Sequence, residues 1–168
     1  SEASTIHRNI YRGFNEPLAD SGKQKADAVN PPRTSGVLRE NKDNDDAVYI
    51  VDEASMLSNT YSASDYFSLG SGYLLRDLFN YIDPNAHKSR KIIFIGDNAQ
   101  LPPVNAIYSP ALCPKTIEKE FHLKSRVFYL TEVVKQKSDS GILKSATSLR
   151  MCINSNIPTV PHLDLSPT

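Results

Sequence analysis

Two adjacent carboxylates, Asp52 and Glu53, directly follow the apolar run "VYIV" at positions 48–51. Burying an unpaired charge is costly, so the pair belongs at the exposed tip of the element that carries it. There, one carboxylate can hold Mg²⁺, directly or through water, while its neighbour orients or deprotonates an attacking water. The same dipeptide also suits a plain acidic helix start, because Asp and Glu favour helix N-termini. A second stretch, "KIIFIGDNAQLPPV" (91–104), ends another apolar run in Gly96 and Asp97, with Gln100 three residues on. A neutral amide beside two carboxylates can sense a terminal phosphate or the attacking water without adding charge. Asp97 suits a structural role, tying down its loop. Pro102 and Pro103 impose an extended exit.

The elements that must position these groups are short. "VYIV" (48–51), "IIFI" (92–95) and "VFYL" (127–130) are β-branched or aromatic and continuous rather than alternating. Such runs suggest parallel strands covered on both faces. Between the first two, Leu74, Leu75, Leu78, Phe79 and Ile82 recur at helical spacing, with Ser71 placed to cap. After the third, Ile142, Leu143, Ala146 and Leu149 repeat that pattern. Strands alternating with amphipathic helices predict an α/β fold with a mainly parallel sheet. The opening "STIHRNIYRGF" reads as a further helix capped near Ser4 or Thr5. "GVLRE" (36–40) reads as a short strand pairing near "VYIV", with "NKDNDD" as the turn between them. Residues 15–35 are polar and proline-broken and read as a mobile loop, and the tail 158–168 is proline-rich and expected to be extended or disordered.

The bulk numbers set outer bounds. A chain of 168 residues, 39% hydrophobic, can bury a core as one domain, drawn here as residues 1–157 plus the tail. Nineteen basic and nineteen acidic residues balance, so any contact with nucleic acid must be local. Cys113 and Cys152 carry no metal-ligand spacing and fit reduced thiols; His7, His87, His122 and His162 are scattered, so no zinc is expected. No signal peptide, membrane span or lipidation motif is read, which makes cytoplasm the default and gives no membrane partner.

Four stretches together resemble superfamily 1 DNA helicases of the RecD-like branch (exodeoxyribonuclease V alpha-type), which are AAA/P-loop ATPases. "VDEAS" (51–55) is similar to Walker B and "GDNAQLPPV" (96–104) to motif III. "LTEVVKQKSDSGILKSATSLR" (130–150) is similar to the motif IV region, and "ASTIHR" (3–8) to the motif that lies beside single-stranded DNA. They occur in the family's order and span nearly the whole chain. The resemblance implies a RecA-like three-layer sandwich in which ATP hydrolysis drives movement along single-stranded DNA. It implies that Asp52 coordinates Mg²⁺, that Glu53 activates water, and that Gln100 couples the γ-phosphate to domain movement. Thr5 and His7 would lie near the DNA backbone. For His7 the plainer reading is a polar residue capping or flanking a surface helix.

Two departures qualify it. The family commonly has arginine where this chain has Lys135, which the resemblance sets against the γ-phosphate. A lysine offers a point charge in place of a bidentate fork, so weaker transition-state stabilisation is expected. A solvent-facing lysine is the plainer reading. No P-loop is present either: Gly22-Lys23 is the one Gly-Lys pair, Pro17 stands where the first glycine should be, and Gln24 replaces the hydroxyl residue. The resemblance therefore implies an incomplete first motor domain, lacking the P-loop strand that lies between the motif III strand and residues 127–130. Two sheet edges would lack partners, to be closed by rearrangement, by strand exchange in a homodimer, or by another segment. ATP and Mg²⁺ are not expected to be retained by this chain alone; the parent would need the rest of the motor as partner. Two other readings stand beside this one: a P-loop ATPase switch that is not a helicase, and a catalytically silent interaction module of the same fold.

Overall fold

The computed structural model describes residues 3–13, 34–62, 67–132, 134, 141–155 and 160–161. It divides into two compact units, residues 1–125 and 126–168. The described elements are mixed α/β, with two small sheets in the first unit and one helix in the second.

In the first unit, α1 (Ile6–Ile10) runs straight into β1 (Tyr11–Arg12). Thr5 caps α1, its hydroxyl accepting from the Arg8 N–H at 3.3 Å. The helix expected over the whole opening stretch stops at Ile10 because Tyr11 is drawn into a ladder. Strand β1 lies antiparallel to β2 (Thr34–Leu38), and β2 lies parallel to β4 (Phe67–Leu69), giving sheet order β1-β2-β4. β2 thus pairs there and not with "VYIV", correcting the expectation for residues 36–40. The intervening 41–46 segment is held from the side: Asn41 donates to the Tyr49 hydroxyl at 2.8 Å, and that hydroxyl donates to Asp43 at 2.8 Å.

The second sheet consists of β3 (Val48–Val51) and β5 (Lys91–Phe94), parallel, with Val48 opposite Lys91 and Val51 opposite Phe94. Its register is anchored where both strands begin. Arg90 is buried, and its guanidinium donates to the carbonyls of Asp43 at 2.7 Å, Ile82 at 2.8 Å and Asn44 at 3.4 Å. A buried charge is tolerable only when its donors are met, and here the loop before β3 and the carbonyl of Ile82 meet them.

Helix α2 (Leu74–Ile82) joins the two sheets and buries Leu75, Leu78, Phe79 and Ile82, as its apolar spacing predicts. Its N-cap is Tyr73 and not Ser71, whose hydroxyl instead accepts from the Tyr73 N–H at 3.2 Å in a turn before the helix. Asp83 ends α2 in the left-handed conformation, and Pro84 follows. Phe79 stacks on Phe121 with centroids 4.0 Å apart, seating α3 (Pro114–Phe121), a helix with Pro114 in its first turn that the sequence reading lacked. Beneath α1, the buried Tyr11 hydroxyl donates to Asp77 at 2.6 Å, and Asp77 also accepts from the Ser71 N–H at 2.9 Å. Burial and the adjacent carboxylate raise the Tyr11 phenol far above its ordinary range.

Two expectations fail in this architecture. The strands of the second sheet are not covered on both faces: Tyr49, Val51, Ile92 and Phe94 belong to the core, while Val48, Ile50, Ile93 and Ile95 are exposed. Residues 127–130, in the second unit, form no strand; Val127, Phe128, Tyr129 and Leu130 are exposed and unladdered. A strand exists only where another backbone satisfies its N–H and C=O groups, and among the described residues none does. The five strands are accordingly split three and two rather than joined in one parallel sheet. The second unit's helix, α4 (Gly141–Asn154), falls where the 142–149 spacing predicts.

Two stability effects are expected. Arg90→Leu strands three carbonyl groups and lowers unfolding free energy by about 2–4 kcal/mol, since bonds to charged groups contribute ~1.5–3 kcal/mol each; urea titration would measure it. Tyr11→Phe removes one partner of the buried Asp77 and costs about 1–2 kcal/mol. Because the folded phenol titrates above its unfolded value, Tyr11 contributes stability that is fully present below its unfolded pKa and is lost as pH rises through the folded one. The gap between wild type and Tyr11→Phe should therefore narrow in strongly alkaline buffer.

Candidate functional site

A parallel pair delivers both of its carboxyl ends to one edge. Asp52 and Glu53 follow β3 directly, and Gly96–Gln100 follow β5 two residues after its end. The ladder continues past the strands: the Ile95 N–H donates to the Val51 carbonyl at 2.9 Å, and the Ala54 N–H to the Ile95 carbonyl at 2.8 Å. The "VDEAS" and "GDNAQ" segments are thus clasped backbone to backbone, and Asp52, Glu53 and Gln100 are all exposed at this edge.

The turn between them is tight and strained. Glu53 is left-handed, at φ 51° and ψ 37°, and opens a short 3-10 turn over Ala54–Met56. For a residue with a Cβ that conformation costs about 1–2 kcal/mol. It swings the chain off the strand so that Asp52 and Glu53 stay outside while Ala54 and Ser55 go under. The Asp52 carboxylate accepts from the Glu53 N–H at 2.9 Å, which fixes one of its oxygens. Gly96 is required by the close approach: a Cβ there would lie 2.9 Å from the Ser55 nitrogen and 2.9 Å from the Leu112 side chain. Neither Glu53's conformation nor this contact was legible in the sequence; the glycine of "GDNAQ" was the one available hint.

Asp97 behaves as the structural reading expected. Its carboxylate accepts from the Ala99 N–H at 2.9 Å, and its carbonyl accepts from the Gln100 N–H at 3.0 Å, folding the loop that presents Gln100. Ser109 ties in from beyond, donating to the Ala54 carbonyl at 3.3 Å. The Ser55 hydroxyl is fully buried without a hydrogen-bond partner among the described residues. A cavity of about 670 Å³ lies elsewhere, lined by Asn59, Arg76, Asn105, Tyr108 and Glu120 among others, and includes none of the carboxyl-edge residues.

Of the other candidate residues, Thr5 and His7 belong to α1 and do not follow β3 or β5. Thr5 is occupied as the cap of α1. His7 is exposed within that helix rather than capping or flanking it, its ring 6.0 Å from the Tyr11 ring. Lys135 and the 15–33 stretch with Gly22 and Lys23 lie outside the described residues. Among the described residues, no group of three or more His, Cys, Asp or Glu could hold a metal ion. Asp52 and Glu53, two carboxylates at the exposed edge, are too few for an all-protein metal cage. No helix among the described residues is long and apolar enough to cross a membrane.

Comparison with protein-family profiles, with curated proteins and with solved structures finds no match in any of the three. The fold and site therefore define a class, an α/β protein with acidic groups at the carboxyl edge of a parallel strand pair.

Gly96→Ala should destabilise the protein by about 1–3 kcal/mol, the usual cost of overpacking, because backbone cannot yield as a side-chain tip can. Chemical denaturation would read the loss, and an unchanged midpoint would refute the close approach.

Proposed function

We propose that this chain is the Walker B and motif III portion of a RecD-like DNA helicase that couples ATP hydrolysis to movement along single-stranded DNA. The supporting observation is the parallel β3–β5 pairing, which sets Asp52 and Glu53 beside the loop that carries Gln100. In open α/β sheets, ligands bind outside the carboxyl ends of the strands. A bland acidic helix start gives no account of a second strand delivering a polar loop to the same place. The fold reading is a RecA-like layer arrangement, with a P-loop strand to be supplied by a longer polypeptide.

Mg²⁺ would supply charge neutralisation at the transferring phosphoryl oxygens. The Asp52 carboxylate is the residue to hold it, pre-oriented by the Glu53 N–H. Glu53, exposed beside it, would accept a proton from the attacking water at its carboxylate. The Gln100 amide, presented by the Asp97 loop, would report the state of the terminal phosphate to the rest of the motor. Lys135 would contribute positive charge and Thr5 and His7 would face the DNA backbone, as the motif resemblance suggests. Single strands would be held by phosphate contacts and base stacking rather than by sequence readout.

The test is an ATPase assay with and without single-stranded DNA, on this chain and on one extended to include a phosphate loop. DNA-stimulated turnover should occur in the extended protein alone, and equal robust turnover in both would refute the reading. In the extended protein, Glu53→Gln should lower kcat on the order of 10²–10⁴-fold, the usual scale of general-base catalysis, while ATP still binds. Asp52→Asn should raise the Mg²⁺ concentration needed for half-maximal turnover.

A further inference from the structure

Four segments of the first unit frame a polar cavity apart from the carboxyl edge. The Leu75 N–H donates to the Ser58 carbonyl at 3.1 Å, which sets Asn59 and Thr60 against the start of α2. Arg76 follows in the first turn of that helix. From α3, the Thr116 hydroxyl donates to the Tyr108 hydroxyl at 3.4 Å, and Glu120, in the last turn, accepts from the Asn59 amide. Asn105, left-handed at φ 62°, completes the polar lining of a space of about 670 Å³. Ligand cavities run from about 300 to 1,000 Å³, so this one admits a whole small molecule.

The lining carries opposite charges that do not pair. The exposed Arg76 guanidinium lies 4.5 Å over the Tyr73 ring and makes no hydrogen bond or ion pair among the described residues. Stacking orders its planar fork and leaves the N–H groups for an acceptor. The start of α2 adds positive potential there, whereas Glu120 stands by the last carbonyls of α3, where the potential is negative. The Asn59 Nδ2 engages Glu120 Oε2, so Oε1 remains to accept a further donor. That bond commits Nδ2 and leaves the Asn59 Oδ1 buried without a partner among the described residues. A buried acceptor left unmet is unfavourable, and a ligand N–H would relieve it. An apolar segment would satisfy neither charge.

We propose that this cavity binds a nucleotide unit whose base carries an exocyclic amine, either free or within a single strand. The phosphate lies on Arg76, the amine on Glu120, and the rest of the base edge against Asn59 and Asn105. The cavity calls for an anion and N–H donors on one ligand. A guanidinium fork matches phosphate oxygens, a glutamate accepts from the cytosine amine, and asparagine reads base edges. A base with a carbonyl in place of the amine sets oxygen against the Glu120 carboxylate. This inference does not rest on the helicase reading, because no carboxyl-edge residue lines the cavity and binding is read without turnover.

Isothermal titration of the chain with deoxycytidine monophosphate should give a Kd of about 0.1–1 mM. Deoxyuridine monophosphate, which has a carbonyl in place of the amine, should bind roughly 10-fold more weakly. Arg76→Ala should weaken both by about 10-fold or more, with circular dichroism unchanged because the side chain is exposed. Glu120→Gln, which keeps the size and the bond to Asn59, should erase or reverse the preference for the amine. Lys42→Ala, which removes an exposed cation outside the cavity, should alter neither affinity. A short deoxycytidine oligomer that displaces the mononucleotide assigns the site to a strand, and one that fails to do so assigns it to a free nucleotide. No binding at ~10 mM, equal affinity for the two mononucleotides, or wild-type binding by Arg76→Ala would overturn the assignment.

Discussion

The register of β3 against β5 is the constraint on which the rest depends. It is held from both ends. Before the strands, the buried Arg90 guanidinium gathers the carbonyls of Asp43, Asn44 and Ile82, so the two strands start level. After them, the Ala54 N–H reaches the Ile95 carbonyl, so they also finish level. A slip by one residue would turn every side chain to the opposite face and put Val51 and Phe94 outside. It would also move Asp52 and Glu53 away from the loop that carries Gln100.

Strain collects where this register ends. Glu53 adopts a conformation that a residue with a Cβ avoids, and Gly96 admits backbone where a side chain would collide. The two conditions are linked, because the left-handed turn at Glu53 lowers Ala54 and Ser55 onto Gly96. Unfavourable backbone geometry persists only where its surroundings over-determine it, and it gathers at sites that hold or turn something. Here it keeps two carboxylates exposed on a segment whose next two residues are buried.

The three-stranded sheet is organised differently, around a single buried carboxylate. Asp77, on α2, accepts from the Tyr11 hydroxyl and the Ser71 N–H, binding the end of α1, the turn before α2 and α2 itself into one unit. A Cβ at Gly70 would strike Asp77, so the turn closes tightly over it. Arg39 adds a bond to the Tyr11 carbonyl at 2.6 Å. α1, which bears Thr5 and His7, is therefore fixed by the polar centre of α2 as well as by the burial of Ile10.

The sequence by itself determined the strands at 48–51 and near 92–95, the burying stripe of α2, the helix over 141–154 and the adjacency of acidic and amide groups to strand ends. Each is a local property: β-branched runs, apolar residues at helical spacing, and charges that must stay wet. Only tertiary structure decided what pairs with what. It sent "GVLRE" to β1 and β4, made a strand of Tyr11–Arg12, left one face of β3–β5 bare, and denied 127–130 a ladder. The physical reason is that a strand's existence rests on a partner's backbone, which no window of sequence contains, whereas a helix satisfies most of its own hydrogen bonds. Asp77 and Arg90 were illegible for the same reason, since nothing local distinguishes a buried charge with distant acceptors from an exposed one.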